Sequence, residues 1–139
     1  MSNPVLSAAV HNALAQSTPL RVWMSRLTID AQDNTVTLTG VVRSRATKTI
    51  AVQIARSVPG VSQVQNKLVA DEDTEVAVAQ ALGADARTRN AFPGVLVGVV
   101  FGVAFLKGVI ASEAGKNAAG EISAQVAGVE RVSNELTVA

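Results

Sequence analysis

LTGVVRSRATKTIAVQIARSVPGVSQVQNKLVA, residues 38–70, is answered without a gap by LKGVIASEAGKNAAGEISAQVAGVERVSNELTV, residues 106–138. The shift is 68 positions, and 14 of the 33 aligned residues are identical. Chance in a chain this rich in alanine and valine gives about three. The identities are Leu38/Leu106, Gly40/Gly108, Val41/Val109, Ser44/Ser112, Ala46/Ala114, Lys48/Lys116, Ala51/Ala119, Ile54/Ile122, Val58/Val126, Gly60/Gly128, Val61/Val129, Val64/Val132, Asn66/Asn134 and Leu68/Leu136. They are apolar positions, turn glycines and one asparagine, which are residues a backbone needs. No Ser/His/Asp or Cys/His set is shared. The repeat therefore points to a duplicated scaffold that binds something, and away from an enzyme.

Outward from the repeat, the rest of each copy reads in the same order. Asn3-Pro4 is a helix start, with a capping side chain and a proline at the first helical position. Leu6, Val10 and Leu14 then form a core stripe, and Ser17-Thr18-Pro19 ends it. Leu27 and Ile29 alternate with polar residues as a strand, and Val36 and Leu38 do the same as its hairpin partner. Asp33-Asn34 supplies the turn, with Asn34 the residue suited to positive φ and Gly102 its counterpart. Ser44 caps a second helix with Ala46, Ile50, Ile54 and Val58 as its core side, and Pro59-Gly60 stops it. Val61, Val64 and Leu68 predict a last strand. Val78 and Leu82 repeat Val10 and Leu14, so the order α-β-β-α-β occurs twice. The expected modules are residues 1–70 and 71–139, in the α+β class, each small enough to bury only a thin core.

Bulk composition narrows the chemistry. The 139 residues include no cysteine, which removes disulfides, thiolate chemistry and cysteine-based metal sites. Net charge is +1, but it is divided unevenly. Residues 1–70 carry seven Lys/Arg against Asp30 and Asp33, and residues 71–139 carry five against nine acids. Two unlike modules that attract each other would explain this, and so would a first module facing an anionic surface. Met1-Ser2-Asn3-Pro4 lacks the basic and apolar regions of a secretory signal. A cytoplasmic protein is expected if Met1 is the native start, and a periplasmic one if an export signal has been trimmed.

Val36-Thr-Leu38-Thr-Gly40-Val41, Ser44, and Ala51 through Val58-Pro-Gly60-Val61…Val64-Gln-Asn66-Lys-Leu68 resemble a BON domain. Ala104-Phe-Leu106-Lys-Gly108-Val109…Val126-Ala-Gly128-Val129…Val132-Ser-Asn134-Glu-Leu136 resembles another. The resemblance implies two helices on one face of a three-stranded mixed sheet in each module. It also implies association with phospholipid membranes or the bacterial envelope, often under osmotic or envelope stress. One cytosolic branch of that family joins the domain to a LysM domain and binds potassium. This chain shows no LysM-like segment, so potassium enters by family analogy alone.

Two surfaces are candidate sites. On the helix after Ser44, Arg45, Lys48, Val52 and Arg56 fall on one side, opposite Ile50 and Ile54, with Arg43 beside the helix start. Such a set suits anionic headgroups, and it also suits an ordinary solvated helix face. Trp23, between Arg21 and Arg26, is either an anchor at the lipid interface or a packing residue. The second surface is the hairpin of the second copy, in an uncharged run of 17 residues from Asn90 to Leu106. Thr28, Asp30, Thr35, Thr37 and Thr39 of the first hairpin become Leu96, Gly98, Val103, Phe105 and Lys107. A sheet apolar on both faces needs a cover, from the first module, a second chain or lipid. Leu96, Val103 and Phe105 are the candidate interface residues, with protein contact the expected cover. The run is too short for a span of about 20 residues and carries Pro93, Gly94, Gly98 and Gly102.

Other chemistries find no support. His11 stands on a helix without a carboxylate partner in the pattern, and Asp71, Glu72, Asp73 and Glu75 lack calcium-loop spacing. The acidic four read as a solvated joint between modules that also suits the start of the next helix electrostatically. No phosphate-cradling loop, nucleophile elbow or zinc spacing occurs, and three Phe and one Trp are few for nucleic-acid binding. No catalytic residue, metal or cofactor is expected. The expected function is a non-enzymatic module at a phospholipid surface or the envelope. The alternatives are a self-assembling structural protein, a homo-oligomer built through the second hairpin, or a cytosolic binder of an ion or small ligand.

Overall fold

A computed structural model describes residues 1–89 and 94–139 of the chain. Asn90 and Pro93, both part of the uncharged run, lie outside the described residues. The chain divides into two compact units, Met1–Ala70 and Asp71–Ala139.

Unit 1 opens with α1 (Pro4–Ala15), where the Asn3 side chain accepts the Leu6 N–H at 3.1 Å. That bond satisfies one of the amides a helix start leaves without a partner. A single turn, α2 (Thr18–Arg21), follows where only a stop was expected, with Pro19 fixing its first residues. Then β1 (Leu27–Gln32) pairs antiparallel with β2 (Thr35–Val42), placing Ile29 opposite Leu38. Helix α3 (Arg45–Ser57) is capped by Ser44, whose Oγ accepts the Thr47 N–H at 3.2 Å. It carries the chain across to β3 (Gln63–Ala70), parallel to β2. Parallel neighbours need such a crossover. The sheet order is β1-β2-β3, and Leu6, Val10, Leu14, Val36, Leu38, Ala51, Ala55 and Leu68 share one apolar cluster, so α1 and α3 cover the same face.

Unit 2 repeats the plan with α4 (Asp71–Ala84), β4 (Val95–Val100), β5 (Val103–Ile110), α5 (Glu113–Ala124) and β6 (Arg131–Val138). Its sheet order is β4-β5-β6, antiparallel then parallel. Val78, Leu82, Val95, Leu106, Ile110, Ala119, Ile122 and Leu136 form its core.

One pair of glycines shared by the two copies, Gly40 and Gly108, is a steric necessity. Gly40 has φ +131° and Gly108 φ +120°, and a Cβ would collide with the Arg26 carbonyl in one unit and the Gly94 carbonyl in the other. No L side chain fits where the strand start passes so close.

Three expectations from the sequence change. The core side of α3 is centred on buried Ala51 and Ala55, while Ala46 is exposed and Ile50 and Ile54 are half-buried at one flank. Small side chains under the helix axis let it lie close to the sheet, and the larger ones splay to the sides. In the first hairpin the positive φ falls on Asp33 (54°), whereas the second uses Phe101 (51°) and Gly102 (76°). Asn34 therefore does not fill the role of Gly102. The acidic stretch at 71–75 is no solvated joint either. It does start a helix, α4, as its charge suits, but directly after β3 and with Asp71 only 1% exposed.

Candidate functional site

On α3 the predicted cation set lies along the flank away from Ile50 and Ile54. Arg43, Arg45 and Arg56 are exposed, and Lys48 and Val52 are half-buried between them, with Val52 packed against the unit 1 core. Residues at 45, 48, 52 and 56 recur every three to four positions, so one strip of helix surface carries them all. The matching strip of α5 is Glu113, Lys116, Gly120 and Ala124, which is not basic. Trp23 does not join this surface. It is 8% exposed, and a ring so enclosed offers no face to a headgroup layer.

The second surface is the outer face of the unit 2 sheet. Leu96 is 67% exposed, Val100 43% and Val109 58%, and Val103 and Phe105 are half-buried beside them. Register sets Gly98 opposite Phe105 and Leu96 opposite Lys107, with Glu135 next to Lys107 on the third strand. Leu96, Val97, Gly98, Phe105 and Lys107 line an open depression in this face. Val100 and Val109 belong to the same apolar face and are additions to the residues expected from the sequence. Their alternation with Val99 and Ile110 is the signal that marks them.

The acids of α4 have a structural role that their sequence spacing did not reveal. The Asp71 carboxylate accepts the Phe101 N–H at 2.8 Å and the Gly102 N–H at 3.2 Å. Glu75, one turn on, accepts the Val99 N–H at 3.0 Å. Just beyond the end of the same helix Arg87 donates to Asp85 at 3.1 and 3.2 Å and reaches Glu121 at 3.4 Å. The Arg87 side chain, then its backbone N–H, holds the Asp85 carboxyl below the usual carboxylate range, and Asp85 in turn raises the Arg87 guanidinium. His11 is exposed on α1. Among the described residues no three His, Asp or Glu side chains converge as a metal site would require. Among them, too, no helix is long and apolar enough to cross a membrane.

The fold is a duplicated α+β module, with a basic helix strip in one copy and an apolar sheet face in the other. The family model of the BON domain matches the chain twice, at residues 2–71 and 70–139, and the chain belongs to that family. No curated protein matches the sequence. Among solved structures, the chain is similar to the C-terminal domain of CdsD, the structural protein of the Type III secretion system of Chlamydia trachomatis. That similarity has a TM-score of 0.75 at 15% identity, over 99% of this chain and 67% of the other. A second CdsD structure from Chlamydia trachomatis aligns at 13% identity, over 97% of this chain and 93% of that one, with a TM-score of 0.47.

Proposed function

We propose that this protein is a non-enzymatic binding module that associates with anionic phospholipid surfaces of the cell envelope through α3 of unit 1. The carrying observation is the strip Arg45, Lys48, Val52 and Arg56 with Arg43 at its head, present in one copy of the fold and absent from the other. A scaffold does not need that difference. Membership in the BON family supports the reading and extends it to osmotic or envelope stress.

Flotation with vesicles tests it. The full chain is expected to rise with anionic vesicles, to stay behind with neutral ones, and to lose binding as salt increases. Each Lys or Arg near such a surface contributes about 1 kcal/mol, so Arg45→Gln, Lys48→Gln and Arg56→Gln together should weaken binding more than about a hundredfold. Undiminished flotation of a folded triple variant would remove the α3 strip from the account.

A structural, self-associating role is the second reading. It is favoured by the exposed Leu96, Val100 and Val109. The similarity in fold to CdsD, itself a structural protein of a secretion system, points the same way.

A further inference from the structure

The sheet of unit 1 ends on β3 and that of unit 2 on β6, and the last strand of a sheet is where another chain can add itself. Backbone direction decides which amides such a chain would meet. Along a parallel pair, alternate residues address the neighbouring strand and the others face away from it. The Gln63 N–H donates to the Asn34 carbonyl at 3.4 Å, and the Arg131 N–H to the Gly102 carbonyl at 3.4 Å. Odd-numbered positions of β3 and β6 therefore address β2 and β5. Leu68 and Leu136, at even positions, turn their N–H groups out of the sheet.

Neither N–H is left for an added strand. Asn66 Oδ1 accepts the Leu68 N–H at 3.1 Å, and Asn134 Oδ1 accepts the Leu136 N–H at 3.3 Å. In each unit a side chain of the strand itself takes the place that a carbonyl of an added strand would occupy. The two asparagines stand at the same point of the repeat, yet their other surroundings differ. Asn66 is exposed, whereas Asn134 is half-buried and also donates to the Lys116 carbonyl at 2.8 Å. What they share is the outward amide. The first strand of each sheet is occupied by other means. A segment bridged to β1 at Ser2 and Gln32 donates the Asn3 N–H to the Ala31 carbonyl at 2.8 Å, and Glu75 takes the Val99 N–H of β4 at 3.0 Å.

We infer that Asn66 and Asn134 guard the sheet edges: by capping the outward amide of the last strand, each prevents a second copy of the chain from extending the sheet through strand addition. Binding is thereby confined to the faces of the two units. Neither the α3 strip nor the outer face of the unit 2 sheet takes part in the guard, so either can fail as a binding surface without it.

Asn66 is the residue to change, since it is exposed and its bond is local. Asn66→Ala removes the acceptor without adding apolar surface. Gln65→Ala is its control, an equal truncation of an exposed neighbour whose own amide addresses β2. The full-length variants are compared with wild type by sedimentation over a range of concentrations and by hydrogen exchange. At low concentration the Leu68 amide of Asn66→Ala is expected to exchange at least about tenfold faster than in wild type. At high concentration its mass should rise above that of wild type at the same concentration, with protection of Leu68 returning as copies pair. Gln65→Ala should match wild type in mass throughout. A folded Asn66→Ala with the wild-type mass at every concentration would overturn the guard, as would unchanged exchange at Leu68 or equal association of Gln65→Ala. Loss of folding in Asn66→Ala would show that the bond holds the strand in place, and would overturn it too.

Discussion

Ser123 is the one buried side-chain oxygen among the described residues with no hydrogen-bond partner. It lies under α5 where unit 1 has Ala55, equally buried. A hydroxyl taken from water without a new bond destabilises by about 1–3 kcal/mol, and serine is also a poorer helix former than alanine. Ser123→Ala should therefore stabilise unit 2 by about 1 kcal/mol, a rise of several degrees in its melting temperature. Scanning calorimetry reads this directly, and a lower melting temperature would show that the hydroxyl is bonded after all. A second residue-scale difference concerns the asparagine that recurs in both copies. Asn134 Nδ2 donates to the Lys116 carbonyl at 2.8 Å and its Oδ1 accepts the Leu136 N–H at 3.3 Å, tying β6 to α5. Gly120 leaves the room, since a Cβ there would stand 3.0 Å from that amide nitrogen. In unit 1 Val52 occupies the place, and Asn66 makes the local bond to the Leu68 N–H at 3.1 Å. The aligned sequences display the asparagine, but its reach depends on a residue 14 positions away.

Between elements, the governing contact in unit 2 is α4 holding the edge of its own hairpin. Asp71 and Glu75, one turn apart on the same side of the helix, take the amides of Phe101, Gly102 and Val99. The turn is thereby fixed with Phe101 in a left-handed conformation that bulky residues avoid. The bond from Val99 occupies an amide on an edge strand that would otherwise be open to pairing. Unit 1 uses a milder version, with Asn3 Nδ2 donating to the Asp33 carbonyl at 2.8 Å. Asp71→Ala should remove the carboxylate that accepts from two amides of the turn and destabilise the hairpin by about 2–4 kcal/mol. Hydrogen exchange at Phe101 and Gly102 should accelerate at least about thirtyfold, with Asp71→Asn in between. Unchanged protection would mean that the turn holds itself. The order of helices and strands was legible because periods of 3.6 and 2 alternate and because the repeat fixes the register twice. The Asp71 contact was not, since an acidic cluster in the first turns of a helix reads alike whether it faces water or a neighbouring strand. The side of α3 that faces the core is obscured for a related reason. Pattern reading weights isoleucine above alanine, whereas close packing under a helix axis selects the smaller side chain.

For the molecule as a whole, net charge and local charge give different expectations. The chain carries +1, which would give weak attraction to an anionic surface if the total mattered. Unit 1 has five more cations than acids, while unit 2 has four more acids than cations. Screening confines each charge to a range of about 10 Å at 0.1 M salt, so a surface feels the groups that face it and little else. Two paired variants separate the cases. Arg45→Gln with Arg56→Gln lowers the net charge by two and removes part of the α3 strip. Glu113→Gln with Glu130→Gln raises it by two on exposed positions of unit 2. If α3 meets the surface, the first pair should weaken binding to anionic vesicles about thirtyfold, at about 1 kcal/mol per cation, and the second should change it less than about threefold. Opposite changes of similar size would mean that the total charge governs binding and that no particular face is selected. A loss confined to the first pair, shrinking in both variants as salt rises, is the pattern that local recognition by one copy of a duplicated fold requires.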